Sequence, residues 1–128
     1  MSKYNSEKMN DKIKISSKTK YHIYIHKEKD CNIILQNKDG YIAFFKTNTS
    51  LKKKDIIVLY IKERRKTGFA GIVQMGSDVE YNDKKIKVFP DINMNRYYAK
   101  LCFRKKFTDI IKPETLVIHL GSDAIGFK

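Results

Sequence analysis

His22, His26 and Cys31 are the first residues of this chain whose types could hold a metal or carry a reaction. Zinc takes imidazole and thiolate ligands at about 2 Å, so two histidines and a nearby thiol invite that reading. The spacing argues against it. Tyr21-His22-Ile23-Tyr24-Ile25-His26 alternates β-branched and aromatic residues with His, the pattern of a half-buried strand. Four positions along a strand separate the two histidine Cα atoms by about 13 Å, too far for one ion. Two solvent-edge histidines and no metal are expected. Nucleophilic catalysis needs Ser or Cys beside a histidine base with a third group to orient it, and no local signature places one here. Gly68-Phe69-Ala70-Gly71 lacks the Lys-Ser/Thr and the helix that complete a phosphate loop. The acidic residues mostly adjoin lysines, which leaves little for paired-carboxylate hydrolysis. The chain reads as a non-enzyme with no cofactor.

What remains is basic charge interleaved with aromatic rings. There are 27 Lys+Arg against 14 Asp+Glu, a formal net charge of +13, with eight Tyr, seven Phe and no Trp. Charge of that size speaks of partners rather than of fold. Phosphate backbones are the commonest polyanions, and anionic membrane surfaces come second. A coding bias toward lysine and asparagine is the other source of such charge, since lysine is scattered here as well as clustered. Aromatic faces stack on bases while Lys and Arg hold phosphates, a combination suited to single-stranded or flipped-out nucleotides. Phe69, Phe89 and Phe103 read as core. The polar-tipped rings Tyr41, Tyr60, Tyr97 and Tyr98 are the candidates to line a pocket.

These residues need elements to position them. A length of 128 residues suits one domain with a real core. No apolar stretch reaches the ~18 residues of a membrane span, the start is polar, and the two cysteines form no paired motif. An intracellular, reducing compartment is the expectation. Residues 1–20 carry six lysines and little apolar surface, the composition of a flexible basic arm, and residues 21–128 form the domain. Strands are expected at Tyr21–His26, Tyr41–Phe45, Ile56–Ile61 and Phe69–Met75, the last antiparallel to its predecessor with Gly71 at a bulge or close approach. Further short strands are expected at Val88-Phe89, Tyr97–Phe103 and Thr115–Leu120. A helix over Cys31–Asn37, with Asp30 as N-cap and Gly40 at its end, and a helical turn over Phe107–Ile111 complete the list. The fold class is α+β: about six short strands curling into a small barrel, with two or three short helices.

The order of these features resembles the EVE domain, a member of the PUA-like superfamily that also holds the YTH domains. The resemblance runs from about Tyr21 to Leu120. EVE-type sequences place an "lkkGD" turn before an apolar strand ending in Tyr, then a "GIxxV" strand. Here Leu51-Lys52-Lys53-Lys54-Asp55, Ile56–Tyr60 and Gly71-Ile72-Val73 stand in those places. Tyr81-Asn82-Asp83 and Val88-Phe89-Pro90-Asp91 resemble the "yyD…iFpd" turn, and Tyr97-Tyr98-Ala99-Lys100-Leu101 the "PyRvkl" strand. Gly40-Tyr41-Ile42-Ala43 takes the place of "giWG" without its Trp, and Lys54 replaces the glycine before Asp55. The resemblance implies a PUA-like fold and recognition of a modified base of DNA or RNA in an aromatic-walled pocket.

On this reading Tyr41, Phe44 and Tyr60 stack against or wall the base, with Tyr97 and Tyr98 beside them, and His26 and Asn48 bond its edge. Lys46, Arg64, Arg65 and Lys66 contact phosphates, as do Arg96, Arg104 and Lys105. The partner is a nucleic acid and not a membrane. The second reading is a protein-interaction module, an inhibitor or adaptor, whose basic surface meets an acidic protein.

Overall fold

The apolar run at Ile56–Ile61 sits where a strand buried on both faces belongs. In the computed structural model, which describes residues 13–47 and 50–111, it forms the start of β3 (Ile56–Glu63). Parallel to it runs β1 (Tyr21–His26), with Tyr21 opposite Ile56 and His26 opposite Ile61. Parallel neighbours require a crossover, and α1 (Glu28–Gln36) with β2 (Tyr41–Phe44) lies on that connection. A two-residue turn, Arg64-Arg65, returns β3 into the antiparallel β4 (Lys66–Met75). The chain then makes β5 (Glu80–Tyr81), a 3-10 helix (Ile92–Asn95) and the 15-residue β6 (Tyr97–Ile111). Strand order is β1-β3-β4-β6-β2, with β5 paired to β6. The result is a curled mixed sheet of six strands, a half-barrel with one α-helix.

β6 produces the curl. Its first residues pair with β2 and β5, from Tyr97 opposite Phe44 and Tyr81, and its later ones with β4, ending at Ile111 opposite Phe69. Register shifts in the β4–β6 ladder bend the sheet between those partners. The inner face packs Ile57, Leu59, Ile61, Val73 and Met75 against Cys31, Ile34 and Leu35 of α1. The opposite face carries a second cluster of Ile56, Val58, Phe69, Ile72 and Phe107. Gly71 sits where α1 and β6 close on β4. A Cβ there would lie 2.6 Å from Lys105 O and 2.7 Å from Leu35 Cδ2, so the close approach admits only glycine.

Several expectations are corrected. The helix begins at Glu28, three residues before Cys31, which puts Asp30 inside the first turn beside Glu28 instead of at the N-cap. Two carboxylates thus lie in the first turn, near the positive end of the helix, where Glu28 N donates to Glu63. Gly40 serves the reversal after the helix, with φ 74, and its carbonyl accepts from Leu101 N at 2.9 Å. Phe107–Ile111 is strand rather than helical turn, because β4 offers an unfilled edge that pairs it and buries Phe107. Val88-Phe89 joins no sheet; its backbone is held by a side chain, Asn95, as described below. Residues 13–20, assigned by composition to the arm, lie against the sheet, with Lys14 N donating to Gln74 Oε1 at 3.0 Å and Thr19 buried. The expected strand Thr115–Leu120 falls outside the described residues, as do residues 1–12. No helix among the described residues is long and apolar enough to cross a membrane.

Candidate functional site

Between β5 and β6 the chain carries no ladder for some fifteen positions, yet two asparagines organise it. Asn82 Nδ2 donates to Ile86 O and to Asn95 O, both at 2.7 Å, and Asn82 Oδ1 accepts from Ile86 N at 2.9 Å. Asn95 Oδ1 accepts from Val88 N and Phe89 N at 3.1 and 2.9 Å. Its Nδ2 donates to Phe89 O and Asp91 O at 2.8 and 3.2 Å. Asp91 Oδ1 caps the 3-10 helix by accepting from Asn93 N at 2.9 Å. Backbone groups that a sheet would have satisfied are met by side-chain amides, and the loop is fixed as firmly as a strand.

This lobe encloses a cleft of about 540 Å³, in the range of ~300–1,000 Å³ usual for small-molecule sites. Tyr81, Lys85, Lys87, Ile92, Asn93 and Arg96 stand on its wall. Tyr81 is 67% exposed and rests edge-on against Tyr97, the ring centroids 5.8 Å apart. The Arg96 guanidinium carbon lies 5.4 Å from the centroid of the half-exposed Phe45 ring. Lys85 holds a left-handed backbone, φ 57. Three cations, one accessible ring and the asparagine amides therefore meet at one concavity, with Phe45 against the Arg96 guanidinium. Lys84 turns elsewhere, toward the Tyr98 hydroxyl, and that contact, with Glu80 behind it, holds its ammonium above the ordinary lysine range.

The residues singled out from sequence are placed in several different surroundings. Arg96 alone stands in the cleft, with Tyr97 supporting Tyr81 from behind. His26 is half-buried, stacked on Phe89 at 6.1 Å and near Tyr24, which meets Phe44 edge-on at 5.8 Å. Burial pulls the His26 imidazole below its usual pKa, with Asp30 opposing. Tyr41 and Tyr98 form their own edge-on pair at 5.6 Å. Tyr60 packs on Phe69 at 5.0 Å on the other face of the sheet. Asn48 lies outside the described residues. The structure does not bring these rings together, because successive residues of one strand point to opposite faces and the rings come from both.

The cations also divide. Lys46, Arg64, Arg65 and Lys105 are exposed, and Lys66 bonds Glu28 at 2.7 Å. Arg104 serves the fold: its guanidinium donates to Ile34 O at 3.3 Å and Asn37 O at 2.8 Å, closing the carbonyl end of α1. His22 is no solvent-edge residue either; it meets the buried Asp55 at 3.0 Å. Among the described residues no group of three or more His, Cys, Asp or Glu could hold a metal ion. Burial lifts the Cys31 thiol to about 12 and raises that of Cys102 as well, so neither is an activated nucleophile. Sequence reasoning missed Tyr81, Lys85, Lys87, Ile92 and Asn93. The signal was the stretch Tyr81–Arg96, where lysines and asparagines interleave with Ile, Val and Phe, and it was read as a turn and a short strand.

The chain matches no family model and no curated protein.

Proposed function

We propose that this is a nucleic-acid-binding module that seats an unpaired, extruded or modified base in the cleft beside Tyr81. The single observation that carries this is the convergence there of an exposed ring with Arg96, Lys85 and Lys87 on walls fixed by Asn82 and Asn95. The ring offers a stacking face and the cations meet the flanking phosphates. Extruding a base costs a few kcal/mol, and one stacking ring returns about 1–3 kcal/mol, so a bare tyrosine favours substrates already unpaired.

We assign the half-barrel to the PUA-like class in its EVE-type form. Lys54 supports this: its backbone is left-handed, φ 79, at the position where the EVE pattern has glycine. The second reading, a protein-interaction module, draws on one observation. Ile23 and Ile25 of the edge strand β1 are 49% and 61% exposed, a surface on which another chain could rest.

Anisotropy titrations of single-stranded and duplex oligonucleotides over a salt series separate the two. The nucleic-acid reading expects tighter binding to single strands, falling steeply with salt, and weakened by Tyr81→Ala with little change of salt slope. Absence of binding to any oligonucleotide at low salt, with a protein recovered on the same bait, overturns it in favour of the second.

A further inference from the structure

Away from the cleft, two lysine-rich segments lie side by side. Lys20 N and Lys52 N both donate to the Asp55 carboxylate, at 3.2 and 3.0 Å, and Ile56 N donates to Lys20 O at 2.9 Å. Asp55 is 3% exposed and takes a further bond from His22 Nε2 at 3.0 Å. Gln74, fully buried, ties the other end. Its Oε1 accepts from Lys14 N, and its Nε2 donates to Lys14 O and, at 2.8 Å, to Lys54 O. Lys54 N in turn donates to Met75 O at 2.8 Å. The backbones are thus clamped inward while the side chains of Lys14, Lys18, Lys20, Lys52, Lys53 and Lys54 are exposed.

The six lysines outnumber the carboxylates near them, exposed Asp78 and buried Asp55. The one carboxylate between the segments, Asp55, is turned inward, and Asp78 accepts the Lys53 backbone N–H at 2.7 Å. The ion pairs among the described residues, His22–Asp55 and Lys66–Glu28, involve none of the six lysines. Six like charges held within two short segments repel one another, and a polyanion relieves that repulsion by displacing its own counterions. A single half-exposed apolar side chain, Ile15, stands among them, which gives a bilayer little to bury.

We propose that this lysine platform is a second nucleic-acid contact, a track for the phosphodiester backbone separate from the base cleft. It rests on the nucleic-acid reading of the cleft and adds a surface to it. Cys102 provides the reporter. Its thiol lies 3.5 Å from Met75 O and 3.8 Å from Gln74 Oε1, within electrostatic reach of Lys54, Lys14 and Lys53. Cys31, fully buried with its thiol raised to about 12, stays silent in the native protein.

The test is the rate of iodoacetamide alkylation at Cys102, read by mass spectrometry on the full chain, with and without a saturating single-stranded oligonucleotide. Protection of Cys102 by several-fold is expected. Lys14→Gln/Lys53→Gln/Lys54→Gln should abolish that protection and lower the salt slope of oligonucleotide binding by about two, at ~0.7 per phosphate released. Tyr81→Ala should keep the protection once the oligonucleotide is saturating. If the oligonucleotide binds while Cys102 alkylates at its free rate and the triple variant keeps its slope, the platform is refuted and the cleft reading stands. If no oligonucleotide binds at low salt, the cleft reading falls and the platform with it. Slowed alkylation by phosphatidylserine vesicles in that case would identify a membrane surface in its place.

Discussion

Replacing Asn95 tests whether the cleft is built by side-chain amides rather than by sheet. Asn95 is 7% exposed and makes four hydrogen bonds, two accepted and two donated, to the backbone of residues 88–91. Each is worth about 1 kcal/mol net, so Asn95→Ala forfeits at most ~4 kcal/mol. Water can reach the half-exposed Val88 N–H but not that of Phe89, itself 1% exposed. Partial rescue at Val88 brings the expectation to about 2–4 kcal/mol, a large share of the 5–15 kcal/mol typical of a domain. Asn95→Asp is nearly isosteric and keeps both acceptor bonds. It also sets a carboxylate oxygen against Phe89 O and Asp91 O, so it should cost at least as much as alanine. Urea unfolding at neutral pH measures both variants, and oligonucleotide anisotropy reports the cleft. An Asp variant within 1 kcal/mol of the parent would show that the amide donors do not hold the lobe, and the argument for a rigid cleft would fail.

Gly71→Ala should cost about 1–3 kcal/mol, because the new methyl meets Lys105 O at 2.6 Å and a backbone atom cannot step aside; a urea midpoint checks it. Arg104→Leu should lose about 1–2 kcal/mol by removing two hydrogen bonds from the Ile34 and Asn37 carbonyls, which keep Asn37 Nδ2 and Gly40 N as donors, while leaving oligonucleotide affinity unchanged; a parallel loss of affinity without destabilisation would return Arg104 to the interface. His26, lowered by burial, takes up a proton more readily in the unfolded chain, so its contribution to stability is present above the ordinary histidine pKa and is lost as pH falls below it. Urea midpoints at pH 7.5 and 5.5 should therefore drop more for the parent than for His26→Phe, and equal drops would contradict this.

The hairpin of β3 and β4 was legible because its signals are local: an apolar run, a charged turn and a second run with glycine at the tight spot. The strand before α1 was legible for the same reason. The helix start was missed because Asp30 resembles an N-cap by type, while its neighbours Glu28 and Lys29 are good helix formers that extend the helix past it. The second half of β6 was missed because its strand character comes from β4, about forty residues earlier, and not from its own polar sequence. The cleft lay hidden for a stronger reason. Asn82 and Asn95 look like turn residues, and only their mutual contact turns a loop into a wall. Arg104 read as a surface cation because nothing in its neighbourhood reveals a helix end seventy residues away.

One strand, β6, is shared by everything that matters here: β4 on one stretch, β2 and β5 on another. During synthesis the chain emerges in order, so β1, α1, β3 and β4 can gather while β2 and β5 still lack their partner. The cleft wall at Arg96 immediately precedes that partner, and the thiol beside the lysine platform lies within it. A nascent chain halted before β6 would hold the lysine platform, whose backbone clamps fall within residues 14–75, without an assembled cleft. Competence at the cleft arrives late, with the last described strand, and a truncation that removes β6 should take the cleft while leaving the clamps of the lysine platform in place.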